Sequence, residues 1–309
     1  MKFDDPKPVI PVIALMAVTF FWGSSFYTIS SALEHTNPVV LSIARFTLSA
    51  LLLIPILGAA NLANIPKGTW LAGAYTGIPI FLTYALNTLG LMSIPSSMAG
   101  FLLALYVPLT PFVYWVVYKK LPGVFAFAGG ALAFTGLVLL ANPFNLSFEN
   151  NLGEWLTIAG ALCCAIQIVV IGRFAPKCKA KELAFTQIVW TAVFSAASLP
   201  LAEYTQVIPL KETEVTASLV LQVLWLGAVV AVVQVLLSWA QRYVPPSRAA
   251  VIFSMESVFA ALIGYAAGEN LGVLGLAGGA LIVLGTITTE SKALIDEARR
   301  KVAKKYEGQ

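Results

Sequence analysis

The sequence predicts an all-α polytopic membrane protein: ten transmembrane helices arranged as two inverted five-helix repeats. Three observations predict it. First, 59% of the 309 residues are hydrophobic and 11% are charged, with a mean hydropathy of +0.84; a soluble domain carries about 25% charged residues. Second, apolar runs of about 20 residues, long enough to cross a bilayer, follow one another between short polar breaks. Third, Gly123, Val124, Ala128, Gly129, Gly130, Ala131, Leu132 and Gly136 recur in type and spacing as Gly272, Val273, Ala277, Gly278, Gly279, Ala280, Leu281 and Gly285. Five spans per copy is an odd number, which turns the second copy over relative to the first.

The elements follow in order. The first span, 9–31, is uncharged and too long for the apolar stretch of a cleaved signal peptide. The second, 38–60, opens at Asn37-Pro38 and contains Arg45. The third, 68–91, opens after Ile65-Pro66 and contains Pro79. The fourth, 95–117, opens at Ile94-Pro95 and contains Pro108 and Pro111, each of which removes a backbone donor and bends its helix. The fifth, 122–141, lies between Leu121-Pro122 and Asn142-Pro143. The sixth, seventh and eighth cover 152–172, 182–200 and 217–241. The ninth, 247–267, opens after Pro245-Pro246, and the tenth covers 271–290. The chain therefore divides into a first repeat at 1–146, a second at 147–290, and a basic cytoplasmic tail at 291–309, which reads as helical and in reach of anionic lipid. The glycine rows Gly129-Gly130 and Gly278-Gly279 predict close helix contact or, alternatively, a subunit interface.

Charge sets the orientation. Lys2, Lys7, Lys67, Lys119, Lys120, Arg173, Lys177, Lys179, Lys181, Arg242, Arg248 and the cluster from Lys292 to Lys305 all fall on one side of the ten-span plan. The other side holds Lys211. The positive-inside rule then places both termini in the cytoplasm, and the expected location is a bacterial inner (plasma) membrane. Lys120 and Glu269, equivalent in the two copies, fall on opposite faces, as inversion prefers. The net charge of +4 is scattered over short loops and a tail, which argues against a nucleic-acid partner. Cys163, Cys164 and Cys178 fit neither a disulfide framework nor a metal site. His35, the lone histidine, reads as a solvated loop residue beside Glu34.

Several segments resemble the EamA-like family of the drug/metabolite transporter superfamily. These are Trp22-Gly23-Ser24-Ser25-Phe26, Ala44-Arg45-Phe46, Ala99-Gly100-Phe101-Leu102 and Leu105-Tyr106-Val107-Pro108-Leu109. The closest match is Met255-Glu256-Ser257-Val258-Phe259-Ala260-Ala261-Leu262-Ile263-Gly264, followed by Gly268-Glu269. The resemblance covers nearly the whole chain. It implies carriage of amino acids, other metabolites or drugs, with export the favoured direction. The chain departs from the family at Lys119-Lys120, where an acidic residue is common. It departs again at Ser257, where proline is common, which removes the expected cause of a bend in the ninth helix.

Arg45 and Glu256 are the two ionisable residues well inside spans. A charge at the bilayer centre costs at least about 2.5–3.5 kcal/mol, so both are expected to face protein or a wet cavity. Glu256, roughly 13 Å into its helix, could bind a cationic group, carry a proton, or hold a neighbouring helix end. Arg45 could attract a carboxylate, snorkel outward, or pair with a carbonyl. Trp22, Tyr84 and Tyr106 lie away from the interfacial belts and need polar partners. Ser25, Asn87, Gln167, Gln187 and Gln234 complete the candidate substrate-binding set. Aligned by repeat, Gln234 matches Tyr84, Gln187 matches Arg45 and Gln167 matches Ser25, as two half-sites meeting at a midplane would require. The alternative for each is hydrogen bonding between helices.

These residues predict a secondary transporter of small metabolites such as amino acids, working by alternating access at a central cavity and acting as a monomer or weak homo-oligomer. No nucleotide-binding motif is present and no cofactor is expected, so a gradient would drive it. Protons at Glu256 and passive facilitation fit the sequence equally. The alternatives are a proton-coupled carrier of drugs or other metabolites, a non-transporting scaffold or receptor, and an intramembrane enzyme. The last lacks a nucleophile with its base and lacks paired carboxylates within the spans.

Overall fold

The computed structural model describes Lys7 and residues 9–94, 96–141, 151–205, 211–266 and 272–307. The Asn142-Pro143 break, the boundary at 146–147 and Gly268-Glu269 lie outside the described residues. All regular structure among the described residues is helical. The α-helices are α1 (Val9–Leu33), α2 (Pro38–Leu57), α3 (Ala59–Leu62), α4 (Lys67–Gly90), α5 (Ser96–Leu103), α6 (Tyr106–Tyr118), α7 (Val124–Ala141), α8 (Leu152–Phe174), α9 (Ala180–Thr205), α10 (Ala217–Ala240), α11 (Pro246–Phe253), α12 (Met255–Ala266) and α13 (Gly272–Glu307).

Local chemistry explains where several of them begin. Asn37 caps α2 by accepting a hydrogen bond from Val40 N at 2.9 Å, with Pro38 at the first position. Asn151 and Glu154 form a reciprocal capping box on α8. Thr216 caps α10 through Leu219 N at 3.1 Å. The seventh span runs longer than the sequence predicts, since α9 continues to Thr205, and the tail continues α13 without interruption to Glu307.

Nine stretches of helix among the described residues are long and apolar enough to cross a membrane. The expected third span folds as the 24-residue helix α4 but is not one of the nine. The physical reason is its buried face, which carries Thr69, Thr76, Thr83, Asn87 and Thr88. These polar groups turn into the protein and lower the mean hydropathy of the helix.

The segments expected as the fourth and ninth spans are each broken in two. α5 gives way to α6 at Ala104 and Leu105, and α11 gives way to α12 at Ser254. Leu105 and Ser254 are equivalent in the alignment that matches Gly123 with Gly272. Pro108 has no amide proton to reach Ala104, so Val107 N bonds the Ala104 carbonyl instead, at 3.0 Å. The ninth span breaks without a proline. Ser257 N turns to Ser254 O at 3.2 Å, and Ser254 Oγ bonds back to Val251 O at 2.6 Å. Serine hydroxyls that bond the preceding turn bend helices.

Packing runs across the two halves. α7 lies against α13, α4 against α8 and α9, α10 against α1 and α2, α2 against α9, and α1 against α12 as α8 is against α6. Exchanging α1, α2, α4, α6 and α7 with α8, α9, α10, α12 and α13, in that order, maps this pattern onto itself. The α7–α13 contact is a backbone contact. A Cβ on Gly136 would sit 2.5 Å from Gly278 O, and one on Gly278 would sit 2.5 Å from Gly136 O. Gly129 meets Gly285 in the same way. Because Gly129 pairs with Gly285 and Gly136 with Gly278, the helices run antiparallel. Gly130 and Gly279, the other half of each predicted row, point away from this contact.

Loops sort to two ends of the bundle. At one end, Glu214 N donates to His35 O at 2.9 Å, Thr36 and Thr213 hydroxyls meet at 2.8 Å, and Asn37 Nδ2 donates to Lys211 O at 3.2 Å. His35 is less solvated than its loop position predicts: its Nδ1 lies 4.0 Å from the Glu214 carboxylate. At the other end, Arg248 at the start of α11 forms a bidentate ion pair with Glu290 of α13, with Nε to Oε1 at 2.9 Å.

Candidate substrate cavity

Gly23 sets the first contact of the site. A Cβ there would meet Glu256 O at 2.9 Å and Ala260 N at 3.2 Å, so the missing side chain lets α1 lie on the first turn of α12. That approach brings Trp22 and Glu256 to one cavity. The break at Ser254 makes Glu256 the second residue of α12, where the helix N-terminus favours a negative charge. The break at Leu105 places Tyr106 at the start of α6, on the same cavity.

The cavity has a volume of about 70 Å³, enough for a few waters. Both halves of the chain line it. Trp22, Ser25, Arg45, Tyr84, Asn87 and Tyr106 come from the first half, and Gln167 and Glu256 from the second. Eight of the ten residues singled out in the sequence therefore share one space. Gln187 and Gln234 do not reach it. Gln187 is fully buried between α9 and α10, where its Nε2 donates to Ser238 Oγ at 3.1 Å. Gln234 is buried elsewhere on α10. Their depth matches Arg45 and Tyr84, but their helix faces differ. The polar half-sites are thus unequal: α10 offers Leu226, Val229 and Val230, an apolar wall.

Arg45 is 2% exposed. Its guanidinium carbon lies 4.4 Å from the centre of the Tyr84 ring and 4.6 Å from that of Phe46. Cation–π attraction of this kind contributes up to about 2 kcal/mol when desolvated. No ion pair joins Arg45 to Glu256 or to any other carboxylate among the described residues. Arg45 Nε and Nη2, Trp22 Nε1, Asn87 Oδ1 and Gln167 Oε1 are buried without a hydrogen-bond partner in the protein. Leaving such an atom unmet costs about 1–3 kcal/mol, more when charged. Ser25 differs, because its hydroxyl donates to Phe21 O at 2.8 Å.

The cavity also has walls that sequence reasoning missed. Thr83 and Thr88 lie within a turn of Tyr84 and Asn87, and that spacing was the available signal. Cys164 lies one turn before Gln167 on α8 and lines the cavity, although the apolar run around it reads as packing. Ile29, Leu103 and the α10 residues are apolar within apolar spans and carry no signal. Among the described residues, no group of three or more His, Cys, Asp or Glu could hold a metal ion.

Comparison with known proteins agrees with this architecture. The family model described as the EamA-like transporter family matches residues 9–142 and 151–290. An uncharacterized transporter of Archaeoglobus fulgidus is 30% identical over 286 residues, covering 92% of this chain and 87% of the relative. A crystal structure at 19% identity superposes with a TM-score of 0.72 over 92% of this chain and 98% of its own, a likeness of fold.

Proposed function

The chain belongs to the EamA-like transporter family, and from that membership we propose that it is a secondary transporter that exports a small zwitterionic metabolite, such as an amino acid. The observation that carries this reading is the shared cavity. A buried guanidinium and a carboxylate face it from opposite halves of the chain, with no ion pair between them. Arg45 and Trp22 Nε1 offer donors to a carboxylate. Glu256, Asn87 Oδ1 and Gln167 Oε1 offer acceptors to an ammonium group, and the α10 wall suits an apolar side chain.

Alternating access is part of the same proposal. We read the chain as ten spans in two inverted five-helix repeats, with both termini on the cytoplasmic face of an inner (plasma) membrane. The antiparallel contact of the equivalent helices α7 and α13 supports inversion. So do the breaks at the equivalent residues Leu105 and Ser254, since many transporters bind substrate at interrupted helices near the midplane. α4 then serves as the third span, with its threonines turned inward.

Transport of radiolabelled amino acids in proteoliposomes tests the reading. Arg45→Ala is expected to raise the half-saturating concentration about tenfold or more, since a hydrogen bond to a charged group contributes about 1.5–3 kcal/mol. Undiminished transport by this variant would remove the carboxylate role. Glu256 supports a second reading, proton coupling, on which cargo could be a drug or another metabolite. Under an imposed pH gradient, Glu256→Gln should then abolish accumulation while leaving downhill exchange. Full gradient-driven transport by that variant would remove the proton role of Glu256, and absence of accumulation by the wild type would leave a passive facilitator.

A further inference from the structure

A second hollow lies on the outside of the bundle, where α2 crosses α9, and it has no part in the central cavity. It is an open groove of about 380 Å³. Ala50 and Ala192 make its floor by being small, and Leu51 and Val193 stand exposed at its rims. On α9 the groove runs from Phe185 to Ala196, a rise of about 16 Å. Half of a hydrocarbon core of about 30 Å is nearly the same length. Its lining is apolar apart from Thr47.

The groove has a charged end. Lys181 lies one helical turn before Phe185, on the same face of α9. It is exposed, and its ammonium donates one hydrogen bond to the Ile56 carbonyl at the end of α2, at 3.2 Å. An ammonium has three donors, so two remain for a ligand oxygen. The nearest acidic residue in sequence, Glu182, is held by Lys179 at 2.9 Å. An unpaired cation thus stands at the mouth of an apolar channel one leaflet deep.

We propose that this groove holds one acyl chain of an anionic diacyl phospholipid from the leaflet at the basic end of the bundle, with the lipid phosphate on Lys181. Length, apolar lining and terminal charge each match a part of that molecule. The lipid sits on the seam between the first and second halves of the chain, opposite the face of α2 that presents Arg45. The proposal rests on the groove alone and is independent of what the central cavity carries.

Native mass spectrometry tests it. Detergent-purified full-length protein is equilibrated with equal amounts of phosphatidylglycerol and phosphatidylcholine, and bound lipid is counted. The wild type is expected to retain one phosphatidylglycerol in preference to phosphatidylcholine. Lys181→Gln should lower that preference about fivefold, the effect of one basic residue near an anionic surface. Lys120→Gln, at the same end of the bundle, should leave it unchanged. Ala192→Phe should reduce binding of both lipids by filling the floor. Lys181 is exposed, so its variant remains informative if Ala192→Phe fails to fold. Equal binding of the two lipids by the wild type, or an equal loss in Lys120→Gln, would overturn the proposal by indicating general charge attraction.

Discussion

At the scale of the residue, Arg45 concentrates the tension between stability and binding. Its guanidinium is buried, stacked on Tyr84 and Phe46, and lacks a carboxylate partner. Taking such a charge out of water is costly unless it is fully paired. Arg45→Met keeps the length of the stem and removes the charge. It should stabilise the fold by about 2.5–3.5 kcal/mol, the cost of a charged residue inside a span, while raising the half-saturating concentration about tenfold or more, as expected of Arg45→Ala. Thermal unfolding in detergent beside a flux assay checks both halves of this expectation. Arg45→Lys is not a conservative alternative, because an ammonium cannot reproduce a flat cation lying on two rings. The eight cavity residues recognised in the sequence were legible because polar and aromatic groups inside a span demand a reason. Gln187 and Gln234 posed the same demand from outside the cavity, where Gln187 Nε2 reaches Ser238 and the Oε1 atoms of both are buried without a hydrogen-bond partner. Depth along a helix follows from counting residues. Rotation about its axis does not, because a helix that is apolar all round gives no preferred face.

At the scale of the element, the contact between α7 and α13 separates two neighbouring glycines sharply. Gly278 has the Gly136 carbonyl in the space a Cβ would take, whereas Gly279 has nothing within 4 Å. Gly278→Ala should therefore destabilise the protein by about 1–3 kcal/mol, as overpacking does. Gly279→Ala should be neutral or slightly stabilising in the same helix. Chemical denaturation of the two variants side by side measures the difference. The glycine repeat was visible in the sequence, but which glycine of each pair meets its partner required coordinates. The helix breaks divide in the same way. Pro108 announces the first by its missing donor. The second, at Ser254, rests on hydroxyl and backbone bonds that no residue type dictates.

At the scale of the whole molecule, the bundle has a basic end and an end where two loops are tied together through Lys211, Glu214 and Asn37. The proposed orientation makes a prediction about access. In a chain whose native cysteines are replaced, Glu212→Cys should react with an impermeant maleimide on intact cells. Lys120→Cys should react only after lysis. The reverse pattern would turn the protein over in the membrane and reverse the proposed direction of transport. The helical plan was legible because proline and asparagine mark most turns and because charge avoids the spans. The exception was α4, whose inward threonines make a helix of spanning length look too polar for lipid.

The touching backbones of α7 and α13 carry a consequence for any attempt to observe motion. Two helices packed glycine to carbonyl in this way are expected to move together when the protein changes state. Spectroscopic labels placed on that pair should then keep a constant separation, and a change in it would show that the contact slides. Displacements of α1, α4 and α10 can then be measured from a fixed frame inside the molecule.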